Sequence, residues 1–432
     1  MNFDLSVDLI EYLKKIDQFI ENEIKPLEDA DDNVRFFDHR REWARTDFER
    51  GGLPRHDWED LLKVARSRAD RAGFLRFSLA SKFGGQDGPN LWMAVIREHL
   101  AAKGLGLHND LQNEHSVVGN FPTVVLLDQF GTPAQQGLLI QGIITGELTL
   151  AFGLTEAGHG SDATHLETVA ARSVRDGRKG WLINGNKMWT TGLHTASHVL
   201  IFARTEGVAG DARGITALIV PAKAEGIKIE EWLWTFNMPT DHPRISITNV
   251  WVPDDAVLGR EGAGLSVAMS FVHENRIRQA ASSLGAATYC IDQSVQYARE
   301  RAPFGTPLAS NQAIQWPLVE LATQAEMLRL LIRKTAWQMD KMPQQEVAEN
   351  LSDKVSMCNF WANRMVCEAA DLAMQIHGGL GYSRHKPFEH IYRHHRRYRI
   401  TEGSEEIQMR KVAGFLFGFM GPRRKPAQPS VA

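Results

Sequence analysis

The chain has 432 residues, 43% of them hydrophobic and 23% charged, enough apolar material for a large core or for two to three packed domains. Its 49 Lys+Arg against 52 Asp+Glu leave a formal net charge of -3, which excludes a global basic field for nucleic acid or an acidic membrane. Three cysteines, Cys290, Cys358 and Cys367, stand in no CxxC spacing; they argue against a disulfide framework or a zinc site and fit a reducing compartment.

Leu5, Leu9, Leu13, Ile16, Phe19, Ile20 and Ile24 recur at helical spacing, and Pro26, which disfavours helical geometry at Lys25, is expected to end that opening helix. The same stretch carries Asp4, Asp8, Glu11 and Asp17, unlike a basic secretory leader or an acid-poor mitochondrial one. The most apolar run, Gly137 to Leu154, is broken by Gln141 and Glu147, so no membrane span and a cytoplasmic protein are expected. Helical patterns follow at Trp58 to Ala72, Leu91 to Ala102 and Gln135 to Thr145, with Gly-rich turns between them. Residues 1–150 therefore read as a helical domain.

From Val169 the texture changes to short β-type runs at 181–183, 198–203 and 215–220, separated by Asp176-Gly177, Asn184-Gly185 and Pro221. Residues 151–260 are predicted to form a small antiparallel sheet domain. Near Glu261 the helical period returns: Ile277, Ala280, Ala281, Leu284, Ala287, Ile291, Val295 and Ala298 line one face for over five turns. Residues 261–420 read as helical, with 421–432 a tail. The class is α+β, mostly α, and helix, sheet, helix without βαβ alternation argues against a Rossmann domain, so a nucleotide cofactor must be held some other way.

Five segments could carry chemistry. In Leu154 to Asp162, two glycines let backbone N–H groups approach a ligand, and Thr155 and Ser161 offer hydroxyls; the composition also suits an ordinary surface turn. Trp189 and Thr191 follow Asn184-Gly185 and, on a strand, would share a face. Arg299 to Gly305 closes the long helix and Gln312 follows; an arginine fork suits a pyrophosphate, yet a helix C-terminus attracts arginine for its dipole alone. Gln375, Gly378 and Gly379 belong to a helix end with a Gly-rich turn, a C-cap or a phosphate loop. Finally, Glu402 sits beside Gly403 and Ser404, where a carboxylate is ordinarily solvated.

Taken in order, these segments resemble the acyl-CoA dehydrogenase family. The resemblance starts at Phe19-Ile20-Glu21-Asn22-Glu23-Ile24-Lys25-Pro26 and runs through Leu154 to Asp162, Lys187 to Gly192, Tyr297 to Gly305 with its Arg-x-x-Phe-Gly element, Gln375 to Gly381 and Glu402 to Gln408. It spans roughly residues 5 to 420, and six co-linear motifs do not arise by chance. It implies a helical domain, a β domain and a C-terminal four-helix bundle, assembled as a homodimer or homotetramer with FAD at subunit boundaries. Thr155, Ser161, Trp189 and Thr191 would hold the flavin ring; Arg301, Phe304 and Gln312, with Gln375, Gly378 and Gly379, the adenosine diphosphate half; Ser404 would keep a hydroxyl for the cofactor. No metal is implied.

The implied reaction is α,β-dehydrogenation of an acyl-CoA thioester, with Glu402 matching the family's base and an electron-transferring flavoprotein as acceptor. A carboxylate of ordinary pKa, about 4.3, is a poor base for a thioester α proton unless burial raises it. Arg276 matches an arginine near the CoA moiety, although a helix-surface salt bridge would also account for it; Ser161 and Gly403 are further substrate-side positions. In some branches the base lies just before that arginine. Here the position is Asn275, which cannot accept a proton, and Glu274 is one residue off. His394 and Thr401 depart from the family's usual Asp and Tyr, and residues 231 to 244 match only loosely. Asn109, His115 and Phe121 are candidates for the acyl pocket. Two other readings are an acyl-CoA oxidase, which passes electrons to oxygen, and a related flavoprotein that binds nucleic acid through the arginines of 393–399 and Arg423-Arg424-Lys425.

Overall fold

The computed structural model describes residues 4–110 and 115–421; the tail with Arg423-Arg424-Lys425 and the side chain of His115 lie outside the described residues. Helix α1 (Val7–Phe19) begins at Ser6, whose hydroxyl accepts from the Leu9 N–H at 3.3 Å, and buries Leu9, Ile16 and Phe19. Pro26 does not end the helical path as predicted. One wide turn (Ile20–Ile24) re-registers the chain, and a new helix (Lys25–Asp29) carries the proline in its first turn, where no N–H donor is needed. Helices α2 (His56–Arg71), α3 (Asn90–Ala101), α4 (Pro122–Phe130) and α5 (Pro133–Thr145) complete the first layer.

The sheet comprises β1 (Leu150–Gly153), β2 (Val169–Arg175), β3 (Arg178–Met188), β4 (His198–Arg204), β5 (Ile215–Pro221), β6 (Ile227–Trp232), β7 (Pro243–Pro253) and β8 (Val257–Leu258). Its order is β6-β7-β3-β2-β4-β5-β8, with β1 also on β4. The expectation of a purely antiparallel sheet needs correction: β1 runs parallel to β4, and β2 meets β4 in parallel at Val169 and Arg204. Neither pair is joined by a hairpin, so no tight turn imposes the antiparallel direction. Asp176-Gly177 does form the hairpin turn between β2 and β3, both at positive φ. Asn184-Gly185 does not turn; it lies inside β3, where the Asn184 side-chain oxygen accepts from Asn249 N–H at 2.8 Å beside a bulge in β7.

Alternation along β4 divides two cores. Leu200 and Phe202 join Ile16, Trp58, Leu75 and Met93 of the helical layer, whereas Val199, Ile201 and Ala203 pack with Trp181, Ile183, Val220 and Ile245 on the other face. The sheet thus shares its inner core with the N-terminal helices.

The C-terminal helices are α6 (Val272–Glu300), α7 (Gln312–Met339), α8 (Ser352–His377), α9 (Phe388–Arg396) and α10 (Glu405–Leu416). Ile277, Ala281 and Leu284 of α6 meet Leu321 and Leu328 of α7 and Val355, Ala362 and Val366 of α8 in a third core, which also takes Ala94 and Ala101 from α3. Small residues set how closely α3 approaches: a Cβ on Gly285 would stand 2.2 Å from the Glu98 carbonyl oxygen. Among the described residues no helix is long and apolar enough to cross a membrane.

Gly285→Ala is therefore expected to push α3 from α6 and to cost about 2 kcal/mol, the scale of overpacking a close-packed contact. A thermal midpoint equal to that of the parent would contradict this packing.

Candidate active site

Glu402 lies in the turn between α9 and α10 with φ +54, a left-handed conformation that costs a side-chain-bearing residue about 1–2 kcal/mol. Three contacts hold it there. The buried Arg276 guanidinium donates to the Glu402 carbonyl oxygen through Nε at 3.1 Å and through Nη2. The next residue, Gly403, has φ +92, and a Cβ on it would stand 2.5 Å from Arg276 Nη2. Beneath the turn, Arg399 and Arg364 both grip Glu405, Arg399 at 2.9 and 3.0 Å and Arg364 at 3.0 and 3.2 Å. The Arg399 guanidinium, joined by that of Arg364, holds the Glu405 carboxyl down to about 2, against the opposing effect of burial.

The Glu402 carboxylate is half-buried rather than solvated, and its Oε1 accepts from Asn275 Nδ2 at 3.4 Å. Asn275 Oδ1 in turn accepts from Asn120 Nδ2 at 2.9 Å, and Asn120 Oδ1 accepts from Arg278 Nη1. Glu274 faces away, pairing with Arg278 at 3.3 Å. Arg276 is no helix-surface salt bridge: it is buried, and burial lowers its pKa from the ordinary value while the Glu402 charge opposes the shift. Buried amides support the turn from within the bundle, since Gln408 Nε2 donates to the Gly403 carbonyl at 2.8 Å and Asn359 Nδ2 to the Arg276 carbonyl at 2.9 Å.

The sheet contributes a second group. Strand β3 ends at Met188, whose N–H donates to the Thr155 carbonyl at 2.9 Å, so the Leu154 to Asp162 loop lies against the strand end. Trp189 and Thr191 are both exposed, but not by strand alternation as predicted: Trp189 takes φ +62, Thr190 turns inward, and the Thr191 hydroxyl pairs with His242 Nδ1 at 2.9 Å. Ser161 is exposed in the same loop. An ion pair that the sequence reading missed secures this region. Lys187, fully buried, reaches Glu156 at 2.7 Å and the Leu154 carbonyl at 3.1 Å, while Glu156 also accepts from the Glu167 and Thr168 N–H groups at 2.6 and 3.0 Å. Burial brings Lys187 down to about 8, with Glu156 acting against the shift.

A third group stands at the far end of the bundle. Arg301 caps α6 and Gln312 opens α7, both exposed; the Phe304 ring is fully exposed at φ +56. Gln375, Gly378 and Gly379 end α8 beside them, because Tyr297 and His377 stack at 4.3 Å and bring the ends of α6 and α8 together. Gly378 has φ +61, and neither it nor Gly379 has a heavy atom within 4 Å of a built Cβ.

Other candidates serve the core. Ser404 caps α10, its hydroxyl accepting from the Ile407 N–H at 3.5 Å. Phe121 is buried in the first core and Asn109 is buried as well. His394 is buried against His395 and Tyr398, with rings at 4.8 and 5.2 Å, so its departure from the family pattern is absorbed by packing. The 393–399 run turns largely inward: Arg393 pairs with Glu389 at 2.6 Å and Arg399 with Glu405, which weakens a basic nucleic-acid surface there.

One backbone observation links the three groups. Outside Gly, Asp and Asn, the residues with left-handed φ among the described residues are Trp189, Phe304 and Glu402. Each had been singled out from sequence, and strain of this kind collects at functional sites.

Comparison with known proteins assigns this layout of helices, sheet and helical bundle to flavin-dependent oxidoreductases acting on CH–CH bonds. Family models for the acyl-CoA dehydrogenase middle domain and the acyl-CoA dehydrogenase C-terminal domain match residues 151–250 and 262–417. The chain is 32% identical over 403 residues to 3-(aryl)acrylate reductase of Clostridium sporogenes, covering 92% of this chain and 95% of that one. It is 32% identical over 347 residues to the caffeyl-CoA reductase-Etf complex subunit CarC of Acetobacterium woodii, covering 80% and 87%. Butyryl-CoA dehydrogenase of Megasphaera elsdenii has the same fold, with a TM-score of 0.75, 25% identity and coverage of 96% and 100%. The chain belongs to the acyl-CoA dehydrogenase family, whose members are FAD flavoproteins. The residues fit that cofactor: open glycine turns at Gly378 and Gly379, an exposed Phe304 ring three residues from Arg301, and an exposed Trp189 beside a hydroxyl.

Two outcomes test this geometry. Acid titration is expected to lower stability as pH falls from the ordinary glutamate value of 4.5 toward about 2, because Glu405 then takes up a proton that its unfolded form already holds. Glu405→Gln should remove that part of the slope, measured as thermal midpoint against pH. Glu156→Gln, which leaves the buried Lys187 charge without its carboxylate, is expected to cost about 3–5 kcal/mol in unfolding free energy.

Proposed function

We propose that the protein dehydrogenates an acyl-CoA thioester to its α,β-enoyl-CoA, with Glu402 as the base that takes the α proton. The observation that carries this reading is the strained Glu402 turn, clamped at its carbonyl by Arg276 and at its carboxylate by Asn275. Such immobilisation has a use if the carboxylate must meet one C–H bond in one orientation. The Asn275 Nδ2 donor holds one oxygen of the half-buried carboxylate in place. The Glu402 backbone N–H is the protein donor proposed for the thioester oxygen, where negative charge develops as the proton leaves. FAD, when bound, supplies the hydride acceptor for the β hydrogen.

Under this reading Thr155, Ser161, Trp189 and Thr191 receive the flavin ring, and Arg301, Phe304, Gln312, Gln375, Gly378 and Gly379 receive the adenosine diphosphate half. The first set stands around the end of β3 and the second at the ends of α6 and α8 and the start of α7, and a second copy is proposed to supply one of them. Support comes from α7, where Trp316, Val319, Met327, Leu330 and Trp337 are all at least half exposed at helical spacing, a face suited to a homodimer or homotetramer contact. Electron-transferring flavoprotein is proposed as redox partner, in keeping with the relative named as an Etf-complex subunit. Three free, buried cysteines support the cytoplasmic placement.

The same bond chemistry run backwards is enoyl reduction, and the 3-(aryl)acrylate reductase relative favours keeping that direction in the test. Glu402→Gln should bind FAD to the same stoichiometry yet lose substrate-driven anaerobic flavin bleaching by about 100-fold or more. Saturated and unsaturated thioesters, aliphatic and aryl, identify the substrate; bleaching at the parent rate in Glu402→Gln would sink the base assignment. Hydrogen peroxide formed at the rate of turnover in air would replace the flavoprotein acceptor with oxygen.

A further inference from the structure

Side-chain amides are ambiguous about which end donates, but an arginine is not, because a guanidinium has donors and no acceptor. Arg278 is buried, and its Nη1 meets the Asn120 side chain. Asn120 must therefore present its oxygen to Arg278, which turns its NH2 toward Asn275 at 2.9 Å. Asn275 must then present its own oxygen to Asn120, which leaves its NH2 for Glu402 Oε1 at 3.4 Å. The polarity of the whole chain is set at its far end, and the carboxylate receives a donor.

We propose that Arg278, Asn120 and Asn275 form a polarity relay whose purpose is to present a hydrogen-bond donor to the Glu402 carboxylate, making Asn120 and Asn275 positioning residues for the base. The proposal rests on the assignment of Glu402 as base. Donation to a carboxylate favours its ionised form over its protonated one. It also aims one carboxylate oxygen at Asn275 and leaves the orientation of the other defined. The relay is anchored at Asn120 and at Arg278. Asn120 belongs to a segment pinned to the first layer, with Val117 N–H donating to the His108 carbonyl at 3.1 Å and Gly119 N–H to the Leu75 carbonyl at 2.9 Å. Glu274 holds the other arm of Arg278 at 3.3 Å.

Other charged groups surround Arg276 and Arg278. Arg276 grips the Glu402 carbonyl, Lys411 and His273 both feel the Arg276 charge, and Asp340 together with Glu274 offsets Arg278. None of these needs Asn120 in order to act on Glu402. The relay does, so Asn120, which hydrogen-bonds Asn275 and Arg278, is the residue that separates a relay from a local hydrogen bond.

The decisive variant is Asn120→Asp, which keeps the acceptor for Arg278 and the size of the side chain but removes the donor to Asn275. Asn275 is then free to turn its amide over and show Glu402 an oxygen. In the holoenzyme, the acidic limb of kcat/KM for flavin reduction is expected to move up by about one pH unit in Asn120→Asp and Asn275→Ala. The protonated-carboxyl infrared band of Glu402, identified by its loss in Glu402→Gln, should titrate with the same displacement without any substrate. Because Asn120→Asp also adds a negative charge that acts on Glu402 at a distance, the uncharged Asn120→Leu, which removes the donor, is expected to give the same displacement, whereas Asn120→Gln, which keeps both an oxygen and an NH2, is expected to leave the limb near the parent position. If Glu402→Gln is inactive but the limb and the band stay in place in Asn120→Asp, the relay is overturned and the base assignment stands. An active Glu402→Gln overturns the base assignment instead, and the infrared titration then still decides whether Asn120 sets the carboxyl's pKa. Should Asn275→Ala fail to fold, Asn120→Asp and Asn120→Leu carry the test together, and a displacement in Asn120→Asp alone reads the added charge and overturns the relay.

Discussion

The contact between the Arg276 guanidinium and the Glu402 carbonyl oxygen is the one on which the site depends. A left-handed glutamate is unfavourable by itself, and only a structure that over-determines it keeps it there. Arg276 can do so because it is buried on α6, where its own carbonyl is fixed by Asn359 and its donors have few alternatives to the turn. Gly403 follows from the same contact: the guanidinium occupies the space that a Cβ would need. The Arg399 and Arg364 grip on Glu405 then closes the turn from below.

This arrangement joins elements that are distant in sequence. Arg276 and Asn275 come from α6, Asn120 from the segment leading to α4, and Glu402 from the turn before α10. The close approach of α3 to α6 at Gly285, and the core shared between the N-terminal helices and the sheet, hold these elements in register. The proposed base is thus supported by the packing of all three layers, and its carboxylate and its backbone are held by different parts of the chain.

Much of the fold was legible because it rests on periodicity. The 3.6-residue pattern marked α6 over its length, and the β-type runs marked β4 and β5. The errors share a cause: a dipeptide's preference does not say which neighbour it will meet. Asn184-Gly185 has the composition of a hairpin turn, yet Thr168 crowds Gly185, and the Asn184 side chain satisfies a bulge in β7. Pro26 looks like a terminator, yet it opens a new helix after a wide turn. The arginine run at 393–399 has the composition of a basic nucleic-acid surface, but Glu389 and Glu405 pair with two of its arginines.

For the site the division is sharper. Residue types in fixed local order, through the family resemblance, singled out Glu402, Trp189, Phe304 and the glycine turns, because a carboxylate, an aromatic face and an open backbone are each properties of a short segment. Tertiary structure alone decided how those residues are held: the left-handed strain at three of them, the burial of the Lys187 and Glu156 pair, and the line of donors from Arg278 through Asn120 and Asn275. Asn120 carried no signal in the sequence, since an isolated asparagine before Phe121 and Pro122 reads as a helix-start residue. Its orientation is set by an arginine 158 positions away, and a dependence of that kind exists only once the chain has folded.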